Sequence, residues 1–120
     1  VTRLRATTWS GETWDDPDED TLYDLLSEMN LVHRFVTVER LDTPEPERFI
    51  QVHLNDDMSC LIEYRDGGPH AHFQARVPAP FEMYGHDLAA EVVKSWARDD
   101  GYWRDVLPWG LWTPSQPREP

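Results

Sequence analysis

The chain predicts an α+β domain: a mostly antiparallel sheet of about five strands with two helices packed on one face. Three observations carry that prediction. Apolar and polar residues alternate over 4–9, 35–40, 50–64 and 73–77, the period of half-buried strands. Two apolar stripes, Leu22-Leu25-Leu26-Met29 and Leu88-Val92-Val93-Trp96-Ala97, recur instead at helical spacing. Turn chemistry separates these stretches at Ser10-Gly11, Asn55-Asp56-Asp57 and Asp66-Gly67-Gly68-Pro69.

In order, Leu4, Ala6 and Thr8 alternate with Arg3, Arg5 and Thr7 and lead to Trp9, giving a first strand that Ser10-Gly11 breaks. Asp15 or Asp16 before Pro17 places a helix start there, with Pro near the first helical position and carboxylates on the positive end of the dipole. Asn30 is its expected end. The run 35–40 is rich in β-formers and reads as a second strand, and the polar, proline-bearing 42–47 as a loop. Ile50, Val52 and Leu54, then Met58, Cys60, Ile62 and Tyr64, form two adjacent antiparallel strands about the 55–57 turn, and Phe73, Ala75 and Val77 a last meander strand. Pro78-Ala79-Pro80 interrupts the sheet, His86 or Asp87 opens a second helix, and Gly101 closes it. The aromatic 102–109 segment is expected to fold back onto the sheet. Residues 1–112 form one domain by this reading, with 113–120 a loose tail.

Composition sets the compartment and excludes some partners. With 23 acidic and 11 basic residues the formal net charge is -12, which repels nucleic acid and anionic membrane. The ten Arg and single Lys are dispersed and form no basic stripe. Hydrophobic content of 39% with six Trp sets the chain apart from disordered acidic segments. The single Cys60 lies in an apolar alternating run, as a buried thiol in a reducing compartment does. No stretch is long and apolar enough to span a membrane, and the N-terminal residues lack the apolar region of a secretion signal, so a cytoplasmic location is expected.

Little in the chain points to catalysis. His70-x-His72 with His53 and Asp56-Asp57 is the sole arrangement resembling a metal site, and no cysteine or distant His-Glu motif completes a ligand shell. Cys60 shares the face of Met58, Ile62 and Tyr64, where a thiol is inert. Gly67-Gly68 sits in a β-turn before proline rather than at the head of a helix, so it is no phosphate loop. Carboxylates abound, but in hydrophilic runs rather than in an apolar pocket that would tune one for acid–base work. No enzyme activity, metal or cofactor is expected.

The strongest signal is a block of charge. Between Ala6 and His33 the chain carries Glu12, Asp15, Asp16, Asp18, Glu19, Asp20, Asp24 and Glu28 and no Lys or Arg. Some of these carboxylates cap and solvate the first helix. An acidic patch beside an exposed aromatic such as Trp14 also speeds association with a basic protein and selects for it. Trp96, Trp103 and Trp109 read as core anchors, whereas Trp9, Trp14 and Trp112 flank element ends.

Thr13-Trp14-Asp15-Asp16-Pro17 before a helix, Phe35-Val36-Thr37-Val38-Glu39-Arg40, Phe49-Ile50-Gln51-Val52, Leu61-Ile62-Glu63-Tyr64-Arg65-Asp66-Gly67 and Trp103-Arg104 with Trp109 follow one another in a telling order. In these motifs the chain resembles the immunity proteins of bacterial polymorphic toxin systems, most closely the first family of the Imm series, common in actinobacteria. The resemblance runs from about Arg5 to Trp109. It implies a non-enzymatic cytosolic inhibitor that binds a cognate toxin domain, such as a deaminase or nuclease, as a monomer in a 1:1 complex. Such toxins hold a polyanion in a basic cleft, which an acidic inhibitor can occupy. The expected contacts are Asp15, Asp16, Asp18, Glu19 and Asp20 with Trp14 as anchor, and a second cluster of Asp56, Asp57, Asp66, His70 and His72. Carboxylates paired to partner arginines would form its energetic centre, each costing about 2–5 kcal/mol when truncated. Two other readings remain open: an acidic DNA mimic, and a metal-dependent enzyme built on His53, His70 and His72.

Overall fold

The computed structural model describes residues 2–43, 47–68, 71–77 and 86–111. Their strands are β1 (Leu4–Thr8), β2 (Thr13–Asp15), β3 (Phe35–Arg40), β4 (Arg48–Leu54), β5 (Cys60–Asp66), β6 (His72–Val77) and β7 (Gly110–Leu111). Their helices are α1 (Glu19–Ser27), α2 (His86–Arg98) and α3 (Tyr102–Val106). The strands form one sheet in the order β2-β1-β3-β4-β5-β6-β7, each neighbouring pair antiparallel.

The α+β class is as predicted, and the sheet is larger than the expected five strands. The additions are the two edges, β2 and β7, of three and two residues. Neither is long enough to show a period. β2 is held to β1 by the turn at Gly11, whose φ of +87 suits glycine, and by the Thr8 N–H donating to the Glu12 carbonyl at 3.0 Å. The first strand therefore ends at Thr8, and Trp9 belongs to the turn.

Strand alternation sends one set of side chains to a common face. Register aligns Trp14, Ala6, Val38, Ile50, Tyr64, Phe73 and Leu111 across the full width of the sheet. Against this face pack Leu22, Leu25 and Leu26 of α1 with Met29, and Ala89, Ala90, Val92, Val93 and Trp96 of α2, in one buried cluster. The face also holds Cys60, whose thiol burial pushes up to about 12, so no thiolate forms near neutrality.

Helix boundaries differ from expectation for local reasons. Asp15 is in β2, and Asp16, at φ +50, accepts from the backbone N–H groups of Arg3 and Leu4 at 2.8 and 3.0 Å, so the chain bends at Asp16 and the helix starts beyond Pro17. The N-cap is Asp18, which accepts from the Thr21 N–H at 2.8 Å. Helix α1 stops at Ser27 rather than at Asn30. At the end of α2 the reversal falls on Asp99, φ +59, with its N–H on the Ser95 carbonyl at 2.8 Å. Gly101 instead caps the start of α3.

The 102–109 segment does fold back. Trp103 and Trp109 meet Tyr64 edge-on at centroid distances of 4.6 and 4.8 Å, and the Trp109 indole N–H donates to the Trp103 carbonyl at 2.9 Å. Trp112 and the 113–120 tail lie outside the described residues, as do the 78–80 interruption and the centre of the 42–47 loop.

Candidate partner-binding site

The acidic block divides by what each carboxylate already does. Asp15 holds Arg5 at 2.7 Å, Glu19 holds Arg98 at 2.8 Å, and Asp16 and Asp18 take the backbone N–H groups just described. Those backbone bonds keep the Asp16 and Asp18 carboxyls below the usual aspartate range, since they favour the charged form. Four of the five acidic contacts expected near Trp14 are thus engaged within the fold; the fifth, Asp20, is exposed. Asp24 and Glu28 are exposed as well, and with Asp20 they recur at i, i+4 and i+8 along α1 to its C-cap, Glu28, a row about 12 Å long. None of the three, nor Glu12, pairs with a basic side chain among the described residues.

Helix energetics oppose the C-terminal part of this row, Asp24 and Glu28, while Asp20 in the first turn suits the dipole. Like charges four apart repel, and negative charge in the last turns faces the negative end of the dipole. Helix α1 has no basic residue in its last turn to compensate.

Between the β1–β2 hairpin, the C-terminal half of α1 and the start of β3 opens a groove of about 210 Å³. Trp14 and Phe35 are among its walls, with Leu25 and Met29 behind them, and Glu12, Glu28 and His33 are polar members of the lining. Trp14 is thus a half-buried groove wall, packed against the core rather than fully presented to solvent. The exposed indole is Trp9, 50% accessible, meeting Phe35 edge-on at 5.2 Å.

Next to the groove the 30–33 loop holds two large apolar side chains in water. Asn30 Oδ1 accepts from the N–H groups of Val32 and His33, both at 2.8 Å, and the Asn30 N–H donates to the His33 carbonyl at 3.0 Å. This bonded loop leaves Leu31 and Val32 45% and 68% exposed. His33 belongs to both the groove and the shallow depression lined by Leu31, Val32 and Met58, so the apolar surface is continuous. Neither Leu31 nor Val32 was among the expected contacts, and nothing in their local sequence marks them as exposed.

The second expected cluster does not assemble. Asp56 and Asp57 lie in the β4–β5 turn and Asp66 at the far end of β5, a strand length of roughly 20 Å away. Each is paired within the fold: Asp56 with Arg34 at 2.6 Å, Asp57 with Arg76, Asp66 with Arg48 at 2.8 Å. His72 is a correction, being 3% accessible and therefore no surface contact. Its Nδ1 accepts from Arg65 Nε at 3.0 Å, and its Nε2 lies 3.5 Å from a carboxylate oxygen of Glu63, itself 2% accessible. Register sets Glu63 and His72 on the face opposite Ile62 and Ala75, yet both are buried. His70 lies outside the described residues. His53 pairs across from Leu61 while His72 pairs across from Arg65, four residues further along β5, so the two imidazoles share no site. Among the described residues no three His, Cys, Asp or Glu side chains are grouped to hold a metal ion, and no helix is long and apolar enough to cross a membrane.

Comparison with known protein families, with curated proteins and with solved structures gave no match to the chain. The site is therefore read from its own chemistry: an apolar, partly aromatic surface bordered by uncompensated carboxylates.

Proposed function

We propose that this chain is an immunity protein, an inhibitor that binds a cognate toxin domain and occludes its basic, nucleic-acid-binding cleft. One observation carries the reading. Among the described residues the carboxylates of Asp20, Asp24 and Glu28 pair with no cation, those of Asp24 and Glu28 at the helix end where they cost stability, and Trp9, Leu31 and Val32 are exposed. Apolar surface of this kind buries against a protein, and a fringe of one charge sign orients the approach of the opposite sign. The resemblance of the ordered sequence motifs to immunity proteins supplies the class of partner. A DNA mimic is less well served, because α1 presents one short acidic row rather than a long double row at phosphate spacing.

Co-expression with the toxin domain encoded beside its gene tests the reading. The chain restores growth to cells making that toxin, forms a 1:1 complex with it and leaves an unrelated toxin active. Absence of both protection and complex formation overturns it.

A further inference from the structure

Resting on that reading, we propose that the groove between the β1–β2 hairpin and α1 receives an arginine side chain of the protein partner. Its size excludes other occupants first. About 210 Å³ falls below the roughly 300–1,000 Å³ of cofactor and small-molecule sites, and matches a single inserted side chain. Its chemistry then selects the charge. Glu12 and Glu28 line it from two separate elements, and among the described residues the Glu12 carboxylate takes a hydrogen bond from the Ser10 hydroxyl alone, at 3.2 Å.

Among the described residues His33 is the one basic side chain lining the groove, and the arginines of the flanking elements are engaged elsewhere. Arg34 reaches Asp56 and the Leu31 carbonyl, and Arg5 is held by Asp15. Among the described residues no Arg or Lys pairs with Glu12 or Glu28, so their charge is open to a cation of the partner.

The walls distinguish arginine from lysine. Trp14 and Phe35 offer ring faces and edges over which a planar guanidinium stacks while its N–H fork reaches carboxylates. A lysine ammonium is a more strongly hydrated point charge, and it gains less from such a setting.

The test uses the full chain labelled with ¹⁵N, titrated at low salt with N-acetyl-arginine amide and its citrulline and lysine counterparts. Arginine amide gives saturable shifts at Glu12, the Trp14 indole and Glu28, with the other two probes at least about tenfold weaker. Glu12→Gln with Glu28→Gln weakens the arginine response at least about tenfold, while Asp105→Asn on α3 leaves it within about twofold. The same spectra show whether each variant is folded. Equal binding of citrulline or lysine, shifts scattered over the acidic surface, or no saturable shift overturns the proposal. The toxin separates the two levels of argument. If Glu12→Gln with Glu28→Gln leaves toxin affinity intact while charge reversal at Asp20 and Asp24 destroys it, the arginine groove falls and the immunity function stands.

Discussion

Single carboxylates in this chain differ in role although the sequence writes them alike. Asp16 and Asp18 hold backbone N–H groups, so their carboxyls are depressed in the folded state. A depressed carboxyl contributes stability above its unfolded pKa, and that contribution is lost as pH falls through the folded value. Denaturant titrations should thus show stability dropping below about pH 4, the ordinary aspartate range, and Asp16→Asn should blunt the drop. Asp18→Ala removes the N-cap bond to Thr21; it should lower the thermal midpoint by a few degrees and leave toxin affinity unchanged. Equal loss of affinity would put Asp18 in the interface after all. The aromatic residues allow a similar test. Trp103, 3% accessible against Tyr64 and Trp109, should cost about 3–5 kcal/mol when replaced by alanine, measured by chemical denaturation.

At the scale of elements, the binding role proposed for helix α1 sets it against stability at Asp24 and Glu28. Asp24 and Glu28 occupy its last turns, where a lysine would suit the dipole better. Asp24→Lys and Glu28→Lys should each raise unfolding free energy by about 0.3–1 kcal/mol while slowing association with the toxin. Such opposed signs identify residues kept for function rather than for folding. The elements themselves were legible wherever a period ran long enough. Five strands and both long helices follow from alternation and from the Leu22 and Leu88 stripes. Edge strands β2 and β7 escaped because two or three residues show no period, and because β2 lies in an acidic stretch that reads as helix cap. The caps were misplaced by one to three residues for a related reason. Several aspartates compete for each cap, and only the pairing of Thr13–Asp15 with β1 decides that Asp18 takes it.

For the whole molecule, the net charge of -12 is the sum of two populations. Arg3, Arg5, Arg34, Arg48, Arg65, Arg76, Lys94 and Arg98 each pair with a carboxylate of the chain, spreading neutralised charge around the surface. What is left over gathers in part on α1 and at the groove. The sequence could show the surplus but not its location, because pairings such as Arg98 with Glu19 join residues 79 positions apart. Likewise, it named Trp14 and Asp20 as candidates but missed Leu31, Val32 and the groove, which exist only once the hairpin, α1 and β3 converge. A field of this kind accelerates encounter with a basic partner and is screened by salt over a Debye length of about 8–10 Å. The association rate with the toxin should therefore fall at least about tenfold between 20 and 300 mM salt, with a smaller change in dissociation rate.

The most direct measurement is the affinity of the proposed toxin partner for the wild-type chain and for the triple charge reversal Asp20→Lys, Asp24→Lys, Glu28→Lys. The expected result is a loss of at least about 100-fold, carried largely by a slower association whose salt dependence flattens, in a protein that remains folded because the gain at Asp24 and Glu28 offsets the unfavourable lysine at position 20. Affinity unchanged in the folded triple variant would contradict it, leaving the acidic row as a solvated helix surface and placing the interface on another face.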